Sequence, residues 1–266
     1  MDKYENKEIE MTKVAIVGTG SMGSAILEGL AKTKQVDLVA ANHPNPRAKQ
    51  LAAQLKIKLY ERNQDLIAEQ PDVVILTVPV PVTLDVAKEL AGLTAGTVVM
   101  SAAVGVTAND LQAVLPQAGV VPFVPNTPVA INAGTIGVAF NDQLSADQRQ
   151  IANQVLALLG DVISVPEERM DIVGTVGGCG PAFVDVMMDA MSDAAVAKGL
   201  DRATAYQLIA SMVKGSGALA SQSGLTPSQL RDQVTSPAGT TIRGVMALEA
   251  NGFRHAVIEA INKSAE

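Results

Sequence analysis

The run Val14-Ala-Ile-Val17-Gly18-Thr-Gly20-Ser-Met-Gly23 decides the fold of this chain. Four apolar residues read as a short buried strand, and Ser24 to Ala31 read as a helix directly after the last glycine. A Gly-x-Gly-x-x-Gly pattern alone says little, but between a strand and a helix it predicts a dinucleotide loop. Gly18 allows the tight turn, Gly20 lets a pyrophosphate approach the backbone, and Gly23 lets the helix pack on the strand. The N–H groups of the helix N-terminus then meet the phosphates.

Working outward, Val36 to Ala41, Asp72 to Val78 and Val98 to Ser101 repeat the strand signal, with a helical segment at Thr83 to Leu90. This alternation predicts a Rossmann-like, doubly wound parallel sheet, since crossovers between parallel strands are right-handed. Val120 to Pro128 carries three prolines and reads as an extended strand-and-loop segment. Ile136 to Phe140 and Val162 to Val165 complete the strand-like runs. Between them, Ser145-Ala-Asp-Gln148 has capping-box spacing for a helix that Gly160 can stop.

After Pro166 the strand signals cease. Pro181 sits at a helix start, Gly199 at a stop, Asp201 at an N-cap, and Thr226-Pro-Ser-Gln229 forms a second capping box. The expected organisation is therefore a charged, flexible tail (1–12), a dinucleotide-binding Rossmann domain (13–165) and an all-helical domain (166–266). The helix Pro181 to Lys198 is apolar over most of its circumference, which suits packing against a second copy of the chain. A homodimer through the C-terminal helices is expected. Asp185, Asp189 and Asp193 make one acidic stripe, read either as a solvated face or as a metal site, the former being the commoner outcome; no metal is expected.

Composition narrows the function. A net charge of −7 without an arginine-rich run argues against nucleic acid. One cysteine, Cys179, excludes an internal disulfide and a cysteine-rich metal site. No apolar stretch reaches membrane-spanning length, and the mixed-charge N-terminus is unlike a secretory signal, so a cytoplasmic, soluble protein is expected.

For the cofactor, the end of the second strand is informative. NAD sites usually place an acid there for the ribose hydroxyls. Here stand Asn42 and, beyond His43, Arg47, which together favour NADPH while leaving NADH admissible. Ser21, Met22, Thr77 and Val78 are expected around the same dinucleotide. His43 reads as a loop residue near the adenine.

Near the C-terminus, Ser236-Pro-Ala-Gly-Thr-Thr241 precedes a helix expected at Ile242 to Ala250. Such a turn gathers unpaired N–H groups, with hydroxyls from Ser236, Thr240 and Thr241. It reads equally as a carboxylate cradle or as an ordinary helix cap.

This stretch resembles the signature of pyrroline-5-carboxylate reductases: Val-Thr-Ser-Pro-Ala-Gly-x-Thr followed by Leu-Glu249. Pro125-Asn-Thr-Pro128, Gly178-x-Gly-Pro-Ala182, Asp189-Ala-x-x-Asp193, Gly199-Leu200 and Gly252 to Ala260 also match the family in order. The resemblance implies reduction of 1-pyrroline-5-carboxylate to proline with NAD(P)H. Ser236, Gly239, Thr240 and Thr241 would hold the substrate, with Thr241 near the imine nitrogen. Pro125 and Asn126 would lie by the nicotinamide, and Thr241, Ser236 and Asn126 would form the reacting centre. Larger assemblies of dimers also occur in the family. An iminium accepts hydride without a strong general acid, so a site lacking a His, Cys or Lys base is adequate.

Three departures stand out: Pro79-Val80 where the family has Lys-Pro, Pro122 where an Arg is common, and Cys179 where a Ser is usual. Cys179 reads as a packed thiol or an oxidation-sensitive one. His255 reads as structural or interfacial. Two rivals remain open, a reductase of a six-membered cyclic imine and a non-catalytic NADP-binding relative. A β-hydroxyacid dehydrogenase is disfavoured because Val184 stands where its catalytic Lys belongs.

Overall fold

The computed structural model of the chain describes residues 11–266; the expected N-terminal tail lies, up to residue 10, outside them. The described chain divides into two compact units, one ending at Gly178 and one spanning Cys179–Glu266.

The first unit is built on eight strands: β1 (Lys13–Val17), β2 (Asp37–Ala41), β3 (Lys58–Tyr60), β4 (Val73–Leu76), β5 (Val98–Ser101), β6 (Gly119–Val124), β7 (Gly134–Val138) and β8 (Gly160–Ser164). They form one sheet in the order β3-β2-β1-β4-β5-β6-β7-β8. β1 to β6 are parallel to one another. β7 is antiparallel to β6, and β8 runs parallel to β7. The sheet is therefore mostly parallel, with its last two strands reversed.

Side chains of β1 alternate between two apolar layers, Val14 and Ile16 on one face and Ala15 and Val17 on the other, all buried. Burial on both faces is why these strands are continuous apolar runs. Helices α1 (Ser21–Thr33), α2 (Pro46–Leu55), α3 (Thr83–Lys88), α4 (Ala108–Val114) and α5 (Ala146–Ala157) lie between strands, and α6 (Met170–Val173) ends in a π-helical turn, Gly174–Cys179.

Several local readings shift. β3 was not legible: Lys-Leu-Tyr is too short and too polar to read as a strand. It is pinned to the sheet by Glu69, which accepts hydrogen bonds from Tyr60, from Lys58 at 2.9 Å and from Lys13 at 3.0 Å. These donors, Tyr60 first, hold the Glu69 carboxyl down at about 2. The segment after β6 is not wholly extended, because Thr127–Ile131 forms a 3-10 turn. Pro122 lies inside β6 and accepts from the Ala139 N–H; with no N–H it makes no return bond, and the β6–β7 ladder stops there. Gly160 does not stop α5, which ends at Ala157. Instead Gly160 opens β8, where a Cβ would sit 2.0 Å from the Gly134 carbonyl oxygen.

The second unit is all-helical: α7 (Gly180–Ala197), α8 (Arg202–Gln222), α9 (Pro227–Gln233), α10 (Thr240–Ala250) and α11 (Phe253–Ser264). The caps read from the sequence are made: Asp201 accepts from the Thr204 N–H, and Thr226 and Gln229 close a capping box. The acidic stripe of α7 is engaged by α8. Tyr206 donates to Asp189 at 2.8 Å, and Arg202 pairs with Asp193 at 2.8 Å. Arg202 also reaches the buried Ser192 hydroxyl. Only Ser192, Ala205 and Ile209 are buried in this unit, while Val186 is 72% and Val234 65% exposed. Among the described residues no helix is long and apolar enough to cross a membrane.

Candidate active site

Because β1, β2, β4, β5 and β6 are parallel, the loops that follow them emerge on one edge of the sheet. In such sheets ligands bind beyond the carboxyl ends where the strand order reverses, here between β1 and β4. Gly18, Gly20, Ser21, Met22 and Gly23 lie at that point, from the end of β1 into α1.

The three glycines differ physically. Gly18 has φ +91°, where side chains are strained, and a Cβ there would also crowd Val78 at 2.9 Å. A Cβ on Gly23 would sit 2.0 Å from the Gly18 carbonyl oxygen and 2.5 Å from the Thr77 hydroxyl. Gly20 is the opposite case, since nothing in the chain lies within 4 Å of its would-be Cβ. That open space lies over the start of α1, whose N-cap carries no capping side chain and whose first turn holds no acid. These residues fit a dinucleotide pyrophosphate.

The loop is braced from two sides. Thr77, expected to face the cofactor, turns its hydroxyl back to the Gly18 carbonyl at 2.7 Å and lies 3.2 Å from the Val17 carbonyl. Asn42 accepts from the Thr19 N–H at 2.9 Å and donates to the His43 carbonyl at 2.7 Å. Its carboxamide thus shapes the loop. Thr19 as the partner of Asn42 was not foreseen, because no local pattern links residues 23 positions apart.

Arg47 lies exposed in the first turn of α2, and its guanidinium forms no ion pair among the described residues. Asn45 caps that turn through the Arg47 N–H at 2.8 Å, and Pro46 occupies the first helical position. The Asn45-Pro46 pair is itself a helix-start signal in the sequence. Val78 is partly buried beside the loop, whereas Pro79 and Val80 are exposed at the end of β4.

Pro125 and Asn126 follow β6 and are buried. The Asn126 carboxamide accepts from the Thr135 N–H at 2.9 Å and donates to the Gly177 carbonyl at 3.1 Å. Nearby, a cavity of about 460 Å³ opens between the loop after β5, the end of β6 at Pro122–Val124, and the segment Glu167–Asp171. Pro122, the second departure, lines it. Glu167 at its rim accepts the Ala108 N–H at the start of α4.

In the second unit, Ser236-Pro237-Ala238-Gly239 forms a tight turn closed by the Gly239 N–H on the Ser236 carbonyl at 3.0 Å. Proline in second place and φ +58° at Ala238 are the type II pattern. The special backbone therefore belongs to Ala238, not Gly239. A Cβ on Gly239 would sit 3.0 Å from the Ser236 carbonyl oxygen and would displace the Ser236 hydroxyl. Helix α10 starts at Thr240, two residues earlier than expected, so Thr240 and Thr241 supply its first N–H groups. Both threonines and Ser236 are exposed.

The beginnings of α1 and α10 share one geometry. Gly20 (φ −66°, ψ −167°) and Gly239 (φ −69°, ψ 176°) are extended N-caps with no capping side chain and no acid in the first turn. Helices α2, α4, α5, α8 and α9 are all capped by side chains. The starts of α7 and α11 are also uncapped and free of acid, but their N-caps, Cys179 and Gly252, are not extended; the extended, open form occurs at α1 and α10, one in each unit.

Comparisons with known proteins agree with this division. A family model for pyrroline-5-carboxylate reductase dimerisation matches residues 167–266, and one for NADP oxidoreductase, coenzyme F420-dependent, matches residues 13–105. The pyrroline-5-carboxylate reductase of Synechocystis is 35% identical over 252 residues, 94% of each chain. That of Escherichia coli is 34% identical over 96% of each. Among solved structures, the pyrroline-5-carboxylate reductase of Coxiella burnetii superposes with a TM-score of 0.83 at 29% identity, covering 96% of each chain. The Plasmodium falciparum pyrroline carboxylate reductase, solved with NADP bound, gives 0.81 at 25% identity with the same coverage. With relatives of this identity along nearly its whole length, and both halves matched in order, the chain belongs to the pyrroline-5-carboxylate reductase family.

Proposed function

We propose that the protein is an NADPH-dependent oxidoreductase that reduces 1-pyrroline-5-carboxylate to L-proline. The observation that carries this reading is the pair of helix starts with extended, uncapped glycine N-caps and no acid in the first turn, at Gly20 and Gly239. One suits a pyrophosphate and the other a small carboxylate.

The Gly18–Gly23 loop receives the pyrophosphate through the first N–H groups of α1, and Thr77 and Asn42 hold the loop in shape. Arg47 at the start of α2 neutralises the 2′-phosphate, which favours NADPH; NADH is the weaker alternative. The N–H groups of Thr240 and Thr241 take the substrate carboxylate, assisted by the Ser236 hydroxyl. The Thr241 hydroxyl lies by the ring nitrogen and orients the protonated imine. Bound NADPH supplies the hydride for C5. The chain needs no strong acid, because the iminium nitrogen already carries its proton; orientation and exclusion of water are the protein's work.

The second unit buries too little of its own to stand alone, and the family model matched there is one of dimerisation. A homodimer through the C-terminal helices covers Val186 and its neighbours, and dimers can assemble further. No helix long and apolar enough for a membrane occurs among the described residues, consistent with a cytoplasmic enzyme. The dimerisation family match begins at residue 167, close to the boundary near 165 expected from the sequence, while residues up to Gly178 pack with the first unit.

Purified protein with 1-pyrroline-5-carboxylate should consume NADPH and release proline, and Thr241→Ala should lower turnover while cofactor binding persists. Bound NADPH without consumption would instead favour a non-catalytic relative. Preference for the six-membered imine would change the substrate but not the chemistry.

A further inference from the structure

Asn126 holds two backbone segments that are far apart in sequence. The residue is only 6% exposed. The Thr135 N–H can only donate and the Gly177 carbonyl can only accept, so the orientation of the carboxamide is fixed with oxygen on Thr135 and nitrogen on Gly177. Gly177 belongs to the π-helical turn Gly174–Cys179. Such turns are rare and concentrate at functional sites.

The turn also carries two adjacent glycines, Gly177 and Gly178, in open surroundings. Gly177 and Gly178 have nothing within 4 Å of a would-be Cβ and need no positive φ. Each destabilises helical backbone by about 1 kcal/mol relative to Ala. Nothing inside the chain requires glycine there. Gly20, where the pyrophosphate is expected, shares that open space, as do helix glycines such as Gly215 and Gly244.

We propose that Asn126 is a positioning residue of the reduction, docking the glycine turn Gly174–Cys179 at the carboxyl end of β6 so that its bare backbone borders the hydride-transfer site. This rests on the reductase reading for its catalytic half; the docking half stands on the two hydrogen bonds. Asn126 acts through the turn and does not itself touch the reacting atoms.

Asn126→Asp separates this from a contact role. The aspartate keeps the Thr135 bond, but its second oxygen faces the Gly177 carbonyl, acceptor against acceptor, until it takes up a proton. At about pH 8.5, kcat should fall roughly tenfold to a hundredfold, with the Kd for NADPH within about threefold of wild type. Lowering the pH to about 6 protonates the buried carboxyl, which then donates to Gly177. The variant-to-wild-type ratio of kcat should therefore rise about tenfold or more. Asn126→Ala should be low at every pH, with a flat ratio.

Hydrogen exchange of the amides in the turn gives a readout free of the substrate. In Asn126→Ala it should quicken by about tenfold or more. A pH-independent ratio for Asn126→Asp, wild-type kcat in Asn126→Ala, or unchanged exchange would overturn the proposal. Wild-type protein that leaves the imine unreduced while the variant's exchange quickens would overturn the reductase reading and support the docking alone.

Discussion

Gly20 and Gly23 stand three residues apart in one loop, yet alanine at each should do opposite things. At Gly23 the new Cβ would lie 2.0 Å from the Gly18 carbonyl oxygen, so either the loop or α1 has to shift by about 1.4 Å to restore ordinary contact. Overpacking of this kind costs about 1–3 kcal/mol. In a protein of this size that lowers Tm by roughly 2–12 °C. At Gly20 the methyl enters open space at φ −66°, so the folded chain is unstrained. The slightly poorer N-cap and the reduced freedom of the unfolded chain nearly cancel, leaving stability within about 1 kcal/mol. The methyl instead enters the space proposed for the pyrophosphate. NADPH should bind at least tenfold more weakly, a loss of about 1.4 kcal/mol or more. Thermal unfolding with and without NADPH reads both quantities, since a ligand that binds only the native state raises Tm by mass action. Gly23→Ala melting with the wild type, or Gly20→Ala keeping the full NADPH-induced shift, would refute this division of roles.

Further outcomes follow from other contacts. Arg47→Ala should weaken NADPH about tenfold and leave NADH nearly unchanged, read by fluorescence titration of each. Glu69, held at about 2 by Tyr60, Lys58 and Lys13, stabilises the fold above the ordinary carboxylate range and loses that contribution as pH falls from about 4.5 towards 2. Because Lys58 is well exposed, water screens part of the effect, and Glu69→Gln should cost about 2 kcal/mol at neutral pH and little near pH 2 in denaturant titrations. Ala238→Gly relieves the positive φ of the turn and should raise stability by about 1 kcal/mol without lowering turnover. If the proposed dimer covers the apolar face of α7, Val186→Glu charges that face and should shift the protein towards monomer in light scattering and lower its Tm.

The parts of the fold that were legible are those set by local chemistry. The strand before Gly18 and the three glycines, the capping boxes at Ser145 and Thr226, and the cap at Asp201 each carry their cause within a few residues. The misread parts depend on distant partners. β3 exists because Glu69 gathers Lys13, Lys58 and Tyr60. Gly160 matters because Gly134 lies against it across the sheet. The reversal of β7 and β8 has no signature in their own residues. At the candidate site the same rule holds. The glycine loop and the Ser236–Thr241 turn stand out in the sequence as candidate anion sites, whereas the commitment of Thr77, Asn42 and Asn126 to backbone groups does not. Each of those side chains bonds to residues 9 to 60 positions away.

The central claim is that hydride moves from NADPH to the ring carbon of a carboxylated cyclic imine. NADPH carrying deuterium at the transferring position of the nicotinamide tests it directly, with the product analysed by mass spectrometry and NMR. Proline bearing one deuterium at C5 is the predicted product. Proline without the label, or NADPH that binds and stays reduced beside unchanged imine, would contradict it.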